Sequence, residues 1–372
     1  MAKIAIIGGY APSLLNFRGA LIGEMVKNGH TVLACAPDAS NETIKKLHEL
    51  GAEYRNIPMD RAGINPLMDL RSFLSLVFFF LKNRPDIFLG YTIKPVIFGS
   101  LAARMALVSQ RYAMITGLGW SLASESDRPS RIREIVLILY RLSLRGSRRV
   151  FFQNRDDRDF FLDNSLVQSK DMTVIINGSG VDVDFYTPMP FPKNVSFLLI
   201  GRFLQDKGIY EYVAAARIVK QHYPKINFSL AGWADSNPAS INSEEITSWE
   251  RDGLLTCHGQ LDDVREAIAA ISVYVLPSYR EGTPRTVLEA MAMGRPIITT
   301  DAPGCRETVN NGDNGFLVPI KDSVALADAM LKFIETPDLV RRMGQRSRNI
   351  VKKKYDVTKV NKNIMQSMGL SK

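Results

Sequence analysis

At 372 residues the chain is long enough for two domains of ordinary size, each with its own core. Apolar residues make up 46% and charged residues 23%, which excludes a disordered or low-complexity polymer. Three cysteines and four histidines, all scattered, give neither a disulfide framework nor a metal cluster and suit a reducing compartment. The net charge of +9 calls for an anionic partner: nucleic acid, an anionic membrane or a phosphorylated small molecule. No nucleic-acid-binding module is present and the basic residues do not alternate with aromatics, so nucleic acid is set aside.

The Met1-Ala2-Lys3 start runs directly into strand-like Ile4 to Ile7, so no signal peptide is expected. The turn Gly8-Gly9-Tyr10-Ala11-Pro12, a helix from Asn16 to Lys27 and a strand from Thr31 to Ala36 complete a mononucleotide-binding unit. Asp38 invites a dinucleotide reading, but Gly8-Gly9 is not G-x-G-x-x-G and no third glycine opens the helix. The two glycines are expected to let a ligand approach the backbone.

Strand-like Tyr54 to Met59, Asp86 to Gly90, Arg111 to Thr116, Arg148 to Gln153 and Thr173 to Ile176 follow, with helical patterns such as Val96 to Leu107 between them. Ligands of such parallel sheets sit at the carboxyl ends of the strands. Those ends carry Gly8-Gly9, Tyr91 to Lys94 and Thr116-Gly117-Leu118-Gly119. Lys94 reads either as a solvated helix-start charge or as a phosphate ligand.

Two greasy segments are flanked by positive charge. Leu67 to Lys82 and the arginine-rich Arg128 to Arg149 are too short or too charged to span a bilayer. They read either as core helices with basic ends or as helices lying in a membrane interface.

The pair Asp182-x-Asp184 lies between glycines and prolines, where aspartates cap turns, so a metal reading is rejected. Pro188, Pro190 and Pro192 make a stiff linker, and a domain boundary is expected there: residues 1–187, then 188–354, then a C-terminal helix over 355–372 crossing back to the first domain.

The second half restarts the pattern with the strand Val195 to Ile200, the loop Gly201 to Gly208 and a helix from Ile209. Arg202 and Lys207 share this loop at a helix N-terminus, where anions are favoured. They suit a diphosphate, unless both simply pair with Asp206. Strands Asn227 to Ala231, Leu254 to His258 and Val273 to Leu276 lead to PSYREGTPRTVLEAMAMGRPII, where Thr283 and Pro284 look like an N-cap and first helical residue and Gly294 like the stop. The helix is apolar nearly all round, yet holds Glu289; burying that carboxylate alone costs roughly several kcal/mol, so it needs a basic residue, other donors or a ligand. A second carboxylate, Glu281, at the mouth of the same turn shifts the balance to a ligand.

The Glu281-x7-Glu289 pair, the GRFLQDKG loop and the NGSGVDVDFYTP connection resemble glycosyltransferase family 4 over essentially the whole chain. YTIKPVIFGSLAARMA and ITGLGW further resemble bacterial members that extend undecaprenyl-diphosphate-linked sugars. The resemblance implies an α/β GT-B fold, two Rossmann-like doubly wound domains facing across a cleft, and retaining transfer of a hexose or N-acetylhexosamine from a nucleotide sugar, UDP preferred over GDP. Arg202 and Lys207 would then hold the donor diphosphate, Glu289 the ribose and Glu281 the sugar. Gly201, Gly282, Thr283, Pro284 and Leu288 would complete the donor site, with Gly8 and Gly9 facing it. Asn16, Arg18, Lys94, Thr116 and Gly117 are expected on the acceptor side. No cofactor or divalent metal is implied. The implied acceptor is a lipid-linked saccharide, and the implied place is the inner face of a bacterial cytoplasmic membrane, as a peripheral protein. A glycosidase would leave Arg202 and Lys207 without a role; a GT-B nucleotide-sugar epimerase would consume donor with no acceptor.

Overall fold

The computed structural model describes residues 1–60, 65–119, 122, 130–234 and 239–370. Trp120 and the start of the arginine-rich segment, 128–129, lie outside them. The chain forms two compact units, Met1–Ser179 with Thr358–Lys372, and Gly180–Val357.

In the first unit the order is β1 (Lys3–Ile7), α1 (Pro12–Asn16), α2 (Gly19–Lys27), β2 (Thr31–Ala36), α3 (Asn41–Glu49), β3 (Glu53–Asn56), α4 (Pro66–Asn83), β4 (Ile87–Tyr91), α5 (Ser100–Met105), β5 (Gln110–Ile115), α6 (Ser130–Leu144), β6 (Arg149–Phe152), α7 (Arg155–Asp163) and β7 (Thr173–Ile175). The sheet order is β3-β2-β1-β4-β5-β6-β7, and every pairing is parallel. Strands β1 and β4 are apolar on both faces because helices cover both. Ile4 and Ile6 pack with α1 and α2, whereas Ala5 and Ile7 pack with α4 and α5.

In the second unit the order is β8 (Ser196–Ile200), α8 (Ile209–His222), β9 (Asn227–Ala231), α9 (Ser243–Arg251), β10 (Thr256–Cys257), α10 (Arg265–Ala269), β11 (Val273–Leu276), α11 (Arg285–Ala292), β12 (Ile297–Thr300), β13 (Gly315–Val318), α12 (Ser323–Glu335) and α13 (Asp338–Ile350). Its sheet runs β10-β9-β8-β11-β12-β13, again all parallel. A last helix, α14 (Val357–Met368), belongs to the first unit: Val360, Ile364, Met365 and Met368 join the core under β1 and β4, and Tyr112 Oη donates to Met368 O at 3.0 Å. Both sheets are doubly wound, as the sequence leads one to expect.

The first break falls at Gly180, not in the proline segment. Arg295, fully buried, explains the difference: it donates to the carbonyls of Met189 and Pro190 as well as Ile268 and Ala269, all at 3.0–3.1 Å. Its guanidinium lies 4.5 Å from the Phe191 ring centre. The prolines are thereby fastened to the second unit. Gly180 has φ +69, and a Cβ there would stand 2.7 Å from Val357 Cα, so the two crossings are close-packed. Backbone bonds Val181 N→Tyr355 O and Val357 N→Val181 O tie them.

Other expectations shift locally. The helix foreseen over Asn16 to Lys27 is broken at Phe17 and Arg18. Val96 to Leu107 begins as a wide π-type turn, Pro95–Gly99, before α5. The strand over Tyr54 to Met59 stops at Asn56, and Leu254 to His258 pairs only over Thr256–Cys257. Pro284 is itself the extended residue before α11, with no side-chain cap, so Thr283 is not the N-cap. Gly294, at φ +75, does end that helix. The edge strand Gly315–Val318 has no counterpart in the sequence reading.

Candidate functional site

In the second unit the connection from β8 leads to β9 on one side, whereas β11 lies on the other. Crevices at such switch points bind ligands at the carboxyl ends of the strands. Gly201 and Arg202 leave β8 there, and Pro277 and Ser278 leave β11. The two loops are stitched together: Tyr279 N donates to Asp206 O at 2.9 Å, and Tyr274 Oη donates to Ile200 O at 3.1 Å. Gly208 takes φ +69 and lies so close that a Cβ would be 2.1 Å from Pro277 O. Only glycine fits there.

This stitching brings Lys207 onto Glu281. Their ammonium and Oε1 pair directly, with side chains 15% and 16% exposed. Ser278 Oγ adds a bond to the same oxygen at 2.8 Å. Burial works against the ammonium, but the Glu281 and Asp206 charges outweigh it, so the Lys207 pKa is raised. The Arg202 charge acts on Lys207 in the opposite sense, which places the two cations within electrostatic reach of each other. Lys207 lies one residue before the Gly208 N-cap position of α8, whose first-turn N–H groups add positive potential. Glu281 is fixed from behind by its N–H bond to Pro303 O, and Gly304, at φ +81, clears space against Glu281 O.

Glu289 is 5% exposed on α11. Its Oε1 accepts from Arg285 Nε at 2.8 Å and from Tyr186 Oη at 3.0 Å. Burial raises its pKa, against the lowering effect of Arg285 and the hydrogen bonds. The carboxylate that looked partnerless in sequence has both a basic partner and a hydroxyl. Among the described residues both bonds converge on Oε1. Gly282 and Pro284 are buried and Thr283 half-buried beside Glu281, whereas Leu288 is wholly in the core and presents no side chain to a ligand. Asp182 caps a turn, its Oδ1 accepting from the N–H groups of Asp184 and Phe185 at 3.0 and 2.9 Å.

In the first unit Gly8 and Gly9, Lys94, and Thr116 and Gly117 follow the carboxyl ends of β1, β4 and β5. At Gly8 a Cβ would meet Tyr91 Oη at 2.2 Å, so the ring of Tyr91 occupies the space a side chain would take. Gly9 is buried against Thr92 and Pro95. Tyr91 Oη and Ser13 Oγ share a 2.7 Å hydrogen bond, and the buried Arg18 guanidinium lies 5.1 Å from the Tyr91 ring centre. Lys94 Nζ pairs with Asp69 Oδ1 at 2.6 Å. Thr116 and Gly117 are half-buried, with Gly117 at φ +139, and Asn16 is exposed at the end of α1.

Ser278, Tyr186, Arg285 and Asp69 were missed from sequence. Arg285 had a signal, since it stands four residues before Glu289 on one helix; Tyr186 and Asp69 reach their partners only through the fold. No helix among the described residues is long and apolar enough to cross a membrane.

Comparison with known proteins agrees with this architecture. Residues 194–336 match the family model described as glycosyl transferases group 1, and residues 17–178 match the glycosyl transferase 4-like domain. The N,N'-diacetylbacillosaminyl-diphospho-undecaprenol alpha-1,3-N-acetylgalactosaminyltransferase of Campylobacter jejuni is 27% identical over 351 residues, 91% of this chain and 90% of that protein. The UDP-Gal:alpha-D-GlcNAc-diphosphoundecaprenol alpha-1,3-galactosyltransferase of Escherichia coli is 24% identical, over 82% of this chain and 80% of its own. Among solved structures, Anabaena HepE in complex with UDP and glucose superposes with a TM-score of 0.79 at 18% identity, covering 99% of this chain and 100% of that one. Two parallel-sheet units with GT-B neighbours, and family matches in each half, establish that this chain is a glycosyltransferase, with a 4-like N-terminal domain and a group 1 C-terminal domain.

Proposed function

We propose that the protein moves a hexose or N-acetylhexosamine from a UDP-sugar to a saccharide carried on a lipid diphosphate, with retention at the anomeric carbon. The observation that carries this is the Lys207–Glu281 pair at the carboxyl ends of β8 and β11, just before the N-terminus of α8. The two named relatives, which act on undecaprenyl-diphosphate-linked sugars, support the acceptor class.

Arg202 and Lys207 hold the donor diphosphate, and Glu289 takes the ribose hydroxyls through Oε2. Glu281 holds the sugar, with Lys207 released from it onto phosphate. As the bond from C1 to the β-phosphate oxygen breaks, its electron pair stays on the nucleoside diphosphate, and the two cations stabilise that charge. The acceptor hydroxyl attacks C1 from the same face, and its proton passes to the departing phosphate. The cations do the work a divalent metal would do, so none is required; chelator should leave the rate unchanged.

Two helices of the first unit support a seat on an anionic bilayer at the cytoplasmic face. On α4 the exposed residues Leu67, Leu70, Leu74, Phe78 and Leu81 fall within about 80° of arc. On α6 Ile135, Ile138 and Leu142 are exposed beside Arg131, Arg141 and Arg145. Apolar stripes with arginine neighbours suit an interface of acyl chains and anionic headgroups.

The test is product analysis with a panel of UDP- and GDP-sugars, with and without a lipid-diphosphate-linked saccharide. Sugar transfer dependent on that acceptor is expected. Donor consumption without acceptor, yielding an epimerised nucleotide sugar, would overturn the reading.

A further inference from the structure

Helix α4 has two faces with different jobs. Its outward stripe is the apolar row from Leu67 to Leu81; its inward face carries Ser72, Leu76, Phe79 and Phe80 in the core. Asp69 belongs to the inward side, about 140° from the stripe centre. It is the residue that meets Lys94, at 2.6 Å, with side chains 20% and 14% exposed. Lys94 stands just past β4, a strand flanked by β1 and β5 at the centre of its sheet.

The backbone around Lys94 is unusual. Thr92, a β-branched residue, takes φ +68, a conformation that costs about 1–3 kcal/mol and persists where surroundings enforce it. The next residues, Pro95–Gly99, form the wide π-type turn, a form concentrated at functional sites. Gly90 is required beneath it, since a Cβ there would come 2.8 Å from Pro95 O. A strained turn thus presents a lysine at the carboxyl edge, and a half-buried carboxylate from the preceding helix, α4, fixes where its ammonium points.

We propose that Asp69 is a positioning residue: it orients Lys94 toward the diphosphate of the lipid-linked acceptor from the same helix that lies on the bilayer. This rests on the acceptor and membrane reading above. The lysine then keeps a set height relative to the lipid surface, at the level where a lipid diphosphate emerges. A freely rotating ammonium on a four-carbon stem would lose orientation each time the diphosphate arrives.

The test uses farnesyl diphosphate, a soluble prenyl diphosphate, as probe, with binding measured by calorimetry on the full chain. Asp69→Asn removes a negative charge, which by itself would favour an anion, so the expected weakening of about tenfold reports the lost orientation of Lys94, and Asp69→Glu should restore part of it. Lys94→Ala should weaken binding, and adding Asp69→Asn to it should have no further effect, because Asp69 acts through Lys94. Unchanged binding in Asp69→Asn, or additive losses in the double variant, would overturn the proposal; so would a wild-type chain that ignores the probe. Sedimentation with phosphatidylglycerol vesicles is the separate arm. Asp69→Asn should sediment as wild type does. A wild type that fails to sediment removes the bilayer seat, while the calorimetry still decides the role of Asp69.

Discussion

Replacing Lys207 with alanine should slow sugar transfer far more than it weakens binding of the acceptor. The ammonium is mostly shielded, at 15% exposure, and held at the start of α8 by a loop that cannot shift without breaking the contact of Gly208 with Pro277. Removing one preorganised donor from a site where charge develops costs about 10²- to 10³-fold in turnover, roughly 3–4 kcal/mol of barrier. A second cost falls on Glu281, which loses its buried counter-charge and keeps Ser278. That should lower stability by about 1–3 kcal/mol, less than for a fully buried pair. The two costs separate in the assay. kcat from initial rates with saturating UDP-sugar reports the barrier, and urea unfolding of the apo chain reports stability. Lys207→Arg should recover part of the rate because charge survives. Since the Lys207 pKa is raised above its ordinary 10.5, its protonation should impose no step on the rate below that pH. A Lys207→Ala enzyme whose kcat lies within threefold of wild type would refute the reasoning.

Gly208→Ala places a Cβ 2.1 Å from Pro277 O at φ +69; it should destabilise the second unit by about 2–4 kcal/mol and depress kcat, and a wild-type urea midpoint would count against the stitching of the two loops. Burial raises the Glu289 pKa, so as pH falls the carboxylate takes up a proton before its ordinary 4.5 is reached; the donor KM should climb on acidification from above that pH and stay flat at neutral pH. Glu289→Gln should bind donor weakly at every pH, and an unaltered acid limb in that variant would assign the titration elsewhere. Arg295→Met strips four carbonyls of their buried donor and should cost about 3–5 kcal/mol, read by urea unfolding and by faster proteolysis near Pro188 to Pro192.

Much of this molecule was legible from local pattern. Apolar runs between glycine turns mark parallel strands buried on both faces, and Val273–Leu276 and Asn227–Ala231 fall where composition puts them. Arg202, Lys207, Glu281 and Glu289 all lie in loops or helices next to such strands, so their neighbourhood followed from strand order. What was not legible depends on distant partners. That Gly8 also makes room for the ring of Tyr91, on another strand, cannot be read from its own neighbourhood. Leu288 and Glu289 are both buried, because α11 is covered on every side from Val287 to Ala292, and only the fold shows that Glu289 has partners there. The proline run reads as a linker, and only the four bonds from Arg295 show that it is anchored. The break between α1 and α2 leaves no mark in hydrophobic periodicity, since both helices bury apolar residues.

The return of α14 has a consequence for how the chain is made. The second unit, Gly180–Val357, is continuous in sequence, so all its strands emerge before α14 does. The first unit is not: its core lacks Val360, Ile364, Met365 and Met368 until α14 emerges. The unit that begins first therefore finishes after the second, with the part of its core that α14 covers incomplete while the second unit's segment is made. The contact of Tyr112 with Met368, spanning 256 positions, is the closing of that wait, and α14 serves as the lid of strands made long before it.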